Sequence, residues 1–129
     1  MPEDTVEKTE DRLDILFKYQ YALQDRLGTW DKIKDNPAMK QQWFNQLFLA
    51  LQEEIVEAMR ETGYKNPDLV PFGWKKTQVG DPDKLKTELV DILFFWMATC
   101  ITADFKPAEI FDRYLTKLGI NTARQDTGY

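Results

Sequence analysis

Glu54 and Glu57 in the run LFLALQEEIVEAM, and Glu88 and Asp91 in ELVDILFFWMATC, form two pairs of carboxylates, each pair spaced three residues apart. On a helix, side chains three or four apart share a face, so each pair can aim two carboxylates at one point, as can Glu53 with Glu57. Clusters of hard anionic oxygens suit a divalent cation, Mg²⁺ above all, which takes carboxylates, water and phosphate oxygens as ligands. Without a cation, the acids of the first helix (Glu53, Glu54, Glu57 and Glu61, with Arg60 nearby) repel one another by roughly 0.2–0.5 kcal/mol per i,i+4 pair. The second pair is harder still to read as a solvated face. Around the helix, the turn above Glu88 and Asp91 is filled by Ile92 and Phe95, while Leu89, Val90, Leu93 and Phe94 take the other directions. A carboxylate inside an apolar cylinder is costly unless it is paired or bound to metal.

The rest of the composition narrows the chemistry by exclusion. There is no histidine, so imidazole-bound zinc, Ser-His-Asp triads and histidine bases are excluded, and carboxylates and water must carry any proton transfer. A di-iron carboxylate bundle, which needs Glu-x-x-His motifs, falls with them. The single cysteine, Cys100, sits in the apolar run MATCI. It reads as a buried reduced thiol, which fits a reducing cytoplasm, or the host cytoplasm if the source is viral. A net charge of −5 with no Lys/Arg-rich run gives no footprint for nucleic acid or an anionic membrane, so an anionic substrate must be met through metal. The longest apolar stretch, Ile92 to Ala98, is far too short for a membrane span, and the acidic start MPEDTVEKTEDR has no apolar leader.

These residues need helices to position them. A chain of 129 residues that is 43% hydrophobic is expected to make one domain over residues 1–129, with residues 1–6 frayed. Leu13, Leu16, Phe17, Tyr19 and Leu27 recur near helical spacing and predict a first helix over about 7–27, stopped at Gly28. A second is predicted over about 38–62, with Phe44, Leu47, Phe48, Leu51, Ile55, Ala58 and Met59 inward and Glu53 and Glu57 on the opposite face. Residues 64–80, rich in Pro and Gly, read as a functional loop. Asp81-Pro82 then caps and opens a third helix to about Thr102. Pro107 opens a fourth, with Ile110, Phe111, Tyr114 and Leu118 as inner stripe and Gly119 as a candidate break. The expectation is an all-α, four-to-five-helix up-and-down bundle with acids on facing helices. Because the third helix is apolar all round, one such unit leaves a face uncovered, and a homodimer formed through helices is expected, or a higher homo-oligomer.

Glu54-x-x-Glu57 on one helix and Glu88-x-x-Asp91 on the next, in that order, resemble the metal motif of the all-α nucleoside triphosphate pyrophosphohydrolases, the superfamily of MazG-like enzymes and dimeric dUTPases. The ending Lys117-x3-Asn121-x2-Arg124-Gln125-x2-Gly128-Tyr129 is similar to the C-terminal motif of dimeric dUTPases. The first helix, around Gln20 and Gln24, resembles the family's opening helix, and Phe72-Gly73-Trp74-Lys75 its Trp-Lys element. The chain is more compact than dimeric dUTPases usually are, as in MazG-like proteins, and Gln24 stands where asparagine is usual.

The resemblance implies hydrolysis of a nucleoside triphosphate to the monophosphate and pyrophosphate, with dUTP favoured, supported by two or more Mg²⁺ or Mn²⁺ ions. It implies Glu54, Glu57, Glu88 and Asp91 as ligands and Glu53 as the residue that orients or deprotonates water, although Glu53 and Glu54 can exchange these roles. Lys117, Asn121 and Arg124, at i, i+4 and i+7, together with Lys75, are the expected phosphate and sugar contacts. Gln20, Gln24 and Trp74 are the expected base contacts. Two other readings stay open: a MazG-like enzyme for a purine or non-standard dNTP, and a non-catalytic helical protein whose acids bind a basic partner.

Overall fold

The computed structural model describes residues 10–62 and 80–128. Their elements are α1 (Arg12–Arg26), α2 (Thr29–Ile33), α3 (Pro37–Arg60), α4 (Pro82–Thr102) and α5 (Pro107–Asp126). Among the described residues there is no strand, and the molecule is an all-α bundle. The expected frayed residues 1–6 and most of the 64–80 loop lie outside the described residues.

Local chemistry sets the helix ends. α1 starts at Arg12 and not near residue 7, because Asp11 and Asp14 close a reciprocal capping box in which each side chain accepts from the other's backbone N–H. It ends where Gly28 takes φ 76°, a left-handed conformation that glycine adopts without penalty. Asn36 and Asp81 cap α3 and α4 through their side chains, with proline in the first turn of each. Two expectations need correction. The short α2 is an added helix between the first two predicted ones, since five residues carry no readable period. α5 runs unbroken through Gly119, a position that weakens a helix by about 1 kcal/mol without ending it.

α3 and α4 pack most extensively, as an antiparallel pair pinned near both ends. At one end the Trp43 indole N–H donates to Thr102 Oγ1 at 3.1 Å. At the other, the Asp81 backbone N–H donates to Glu61 Oε2 at 3.0 Å. α1 crosses α4 and supplies Phe17 to a core shared with Met97 and Cys100, and Phe17 meets Trp96 edge to face at 6.3 Å. The Cys100 thiol is buried, and that burial pushes its pKa up to about 11, as expected of an inert core thiol.

The face assigned to the second predicted helix is rotated in the structure. Leu47 and Ala58 of α3 are buried, but Phe48, Ile55 and Met59 are exposed, and Glu54 and Glu57 turn inward to half-buried positions against α4. The inner stripe predicted for the last helix is likewise mostly uncovered. Ile110 packs against the core, whereas Phe111, Tyr114 and Leu118 are exposed.

Candidate active site

The register that sets Trp43 opposite Thr102 fixes which acids meet. Eleven residues forward along α3 from Trp43 is Glu54, and eleven back along α4 from Thr102 is Asp91; three further on each helix are Glu57 and Glu88. Equal rise per residue on both helices therefore brings the two carboxylate pairs to one level. Glu54, Glu57 and Glu88 each offer an oxygen within 4.8 Å of the others, and all three are half-buried. Asp91, also half-buried, lies close enough for its charge to act on Glu54 and Glu88.

Like charges converge here, without a basic partner among the described residues. The two ion pairs among the described residues, Lys18–Glu10 and Lys34–Asp31, leave these acids aside. Burial, then the charge of Glu57 and a hydrogen bond with it, then the charges of Asp91 and Glu88, push the Glu54 carboxyl up to about 7. Burial, a hydrogen bond with Glu57 and the charges of Glu57 and Asp91 push Glu88 the same way. Glu54 Oε2 and Glu88 Oε2 are buried and have no hydrogen-bond partner. A buried carboxylate oxygen without a donor is destabilising, so the cluster is suited to an added cation or proton. Its oxygen-only donor set fits Mg²⁺ or Mn²⁺.

A family model described as dUTPase matches residues 12–110. The chain belongs to the all-α dUTPase-like family. Comparison with curated proteins and with solved structures returns no match. Membership supports a nucleotide pyrophosphohydrolase of dUTPase type, in a family that is generally metal-dependent, and the acid cluster falls wholly inside the matched residues. No helix among the described residues is long and apolar enough to cross a membrane.

The remaining expected site residues are scattered. Glu53, one position before Glu54, is exposed and outside the cluster. Gln20 and Gln24 are buried on the same side of α1 as Phe17; Gln24 Oε1 accepts from the Thr29 hydroxyl at 3.0 Å, while Gln20 Oε1 is buried without a partner. Lys117, Asn121 and Arg124 lie on the exposed part of α5, beyond the matched residues, on a helix that packs on α1 and not on α3 or α4. The structure does not bring them together with the acids. Trp74 and Lys75 lie outside the described residues.

Thr29 has no readable signal in the sequence. Its hydroxyl fixes Gln24, and a threonine opening a five-residue helix carries no periodic signal.

Proposed function

We propose that the chain hydrolyses a deoxynucleoside triphosphate, dUTP above all, to the monophosphate and pyrophosphate in a Mg²⁺-dependent reaction, Mn²⁺ substituting. The observation that carries this reading is the convergence of Glu54, Glu57 and Glu88, half-buried, without a cationic partner among the described residues and with buried oxygens of Glu54 and Glu88 lacking a hydrogen bond, inside the span matched by the dUTPase family. Glu54, Glu57 and Glu88, with Asp91 beside them, would hold the metal. Bound there, two or more ions would neutralise the triphosphate and lower the pKa of a water near phosphorus.

The protein side of the chemistry follows from placement. Glu54 would hold a metal only in its deprotonated form, so the cluster would take up a cation more readily as pH rises towards and past 7. The exposed Glu53 stands at the rim, free to hold or accept a proton from a water outside the cluster. That separation supports Glu54 as the ligand and Glu53 as the base in this reading. Gln20, whose amide oxygen is unsatisfied, is the better-placed of the two glutamines to meet a base edge, because Gln24 already accepts from Thr29. The C-terminal stripe is left out of this site, since α5 packs on α1 and away from the acid-bearing helices.

Pyrophosphate release from dUTP and each of the four common dNTPs, with Mg²⁺ and with EDTA, tests the proposal. Metal-dependent release that favours dUTP is expected. Release favouring another nucleotide would move the chain to a MazG-like activity, and no release from any of them would overturn the enzymatic reading.

A further inference from the structure

Glu61 continues the acidic run of α3. It stands four residues after Glu57 and seven after Glu54, a spacing that shares a helix face, so on sequence it belongs with the metal ligands. In the structure it does not join them: the convergent set is Glu54, Glu57 and Glu88. Glu61 Oε2 instead accepts from the Asp81 backbone N–H at 3.0 Å, in a part-buried position.

Both partners of that hydrogen bond are helix caps. Glu61 is the C-cap of α3, where its own N–H donates to the carbonyls of Ala58 and Met59. Asp81 is the N-cap of α4, and its side chain accepts from the backbone N–H groups of Asp83 and Lys84. The bond therefore joins two residues that are each fixed to their own helix. A carboxylate is favourably placed at the start of a helix, where backbone N–H groups and the helix dipole both attract it. Glu61 is satisfied there without a cation.

The neighbouring acids work against this end of the pair. Glu57 lies four residues before Glu61, about 6 Å along α3, and Glu88 lies seven after Asp81, about 10 Å along α4. The charges of Glu54, Glu57, Glu88 and Asp91 act on one another across the two helices and press them apart. Apolar packing opposes this mainly at the far end: α3 has no buried residue after Ala58, and α4 has none before Met97. A directional bond between the caps is placed where packing is thinnest.

We propose that Glu61 is a positioning residue for the metal centre. By accepting from Asp81 it clamps the start of α4 to the end of α3 and keeps Glu88 and Asp91 within reach of Glu54 and Glu57 against their repulsion. The inference rests on the metal-dependent reading above, and Glu61 acts through Asp81 and not as a ligand. Without the clamp the helix ends part, and a cation must first draw them together, which lowers its affinity. Enough metal restores the same centre.

Titration of Mn²⁺ into the metal-free full chain at pH 7.5, followed by calorimetry, tests the clamp beside amide hydrogen exchange at Asp81 followed by NMR. Glu61→Ala is expected to weaken Mn²⁺ binding about tenfold, as loss of a residue that orients ligands does, and to speed exchange at Asp81. Glu61→Gln keeps an acceptor oxygen, weaker than a carboxylate, and is expected within about threefold of wild type on both measurements. Glu61→Asp keeps the charge but stops one methylene short, so it is expected to follow Glu61→Ala, and it carries the test if Glu61→Ala does not fold. Pyrophosphate release by Glu61→Ala should recover to within about threefold of wild type at saturating metal. Wild-type Mn²⁺ affinity in both Glu61→Ala and Glu61→Asp overturns the clamp and leaves the metal reading standing. Glu61→Gln binding as weakly as Glu61→Ala also overturns it, because the charge and not the bond would then matter. A wild-type chain that binds no Mn²⁺ overturns the metal reading and this inference with it.

Discussion

The α3–α4 pair and α5 carry similar sequence signals, apolar residues and charges at helical spacing, and the structure treats them in opposite ways. In the pair, two helices cover each other and like charges are pressed together at Glu54, Glu57 and Glu88. On α5, apolar side chains are left in water, and Lys117 and Arg124 sit on a helix that packs on α1. Both arrangements cost free energy in a lone chain, one through repulsion and desolvation, the other through exposed apolar surface. The first region is suited to an added cation or proton, and the second is an apolar surface left uncovered in the single chain. The difference lies in which groups are left unsatisfied.

Removing one charge from the cluster should break the comparison most sharply. Glu88→Gln is expected to lower pyrophosphate release by about 100-fold or more, given that even the outer partners of metal ligands cost 10–100-fold when removed. The same substitution should raise the melting temperature of the metal-free chain, because it removes repulsion with Glu57 and Asp91. A melt of the two proteins in EDTA, beside the activity assay, checks both halves. Loss of activity with a lowered melting temperature would mean that Glu88 is a structural acid.

A smaller effect should follow pH. The folded chain holds the Glu54 carboxyl at about 7, against an ordinary 4.5. Between those values the folded state binds more protons than the unfolded state, so the stability of the metal-free protein falls as pH rises through that window. Melting in EDTA should therefore occur at a lower temperature at pH 7.5 than at pH 5. Mn²⁺, which competes with that proton, should stabilise more at the higher pH. A melting temperature that climbs from pH 5 to 7.5 in EDTA, or a Mn²⁺ effect unchanged across that range, would contradict the cluster's electrostatics.

The smallest effect is expected on α5. Lys117→Gln should leave kcat/KM for dUTP within about threefold. A charge-assisted hydrogen bond to phosphate is worth roughly 1.5–3 kcal/mol, so a loss beyond tenfold would place the helix on the substrate and redraw the site.

The sequence made the acid pairs legible because they are short-range, three residues apart on one helix, and because Glu88 and Asp91 sit among Ile92, Leu93 and Phe95. Their meeting across two helices was legible only as an expectation of neighbouring helices; the register came from Trp43 and Thr102, residues with no visible signal. The inward face of α3 was misjudged for a related reason. A hydrophobicity pattern favours Ile55 and Met59 over Glu54, but in the structure Glu54 and Glu57 turn inward while Ile55 and Met59 are left exposed. Apolar spacing on α5 predicts a packed stripe, but spacing does not say whether the rest of the chain supplies a surface to cover it, and Phe111, Tyr114 and Leu118 are exposed. The capped starts of α3 and α4 were readable directly, since Asn36-Pro37 and Asp81-Pro82 act within one turn.

Calorimetric titration of Mn²⁺ into metal-free protein at pH 7.5, with the wild-type chain and with Glu88→Gln, tests the central claim most directly. Saturable binding by the wild-type chain that is lost, or weakened at least tenfold, in Glu88→Gln is the result predicted. Equal binding by the two proteins, or none by the wild-type chain, would contradict a metal centre built from Glu54, Glu57, Glu88 and Asp91.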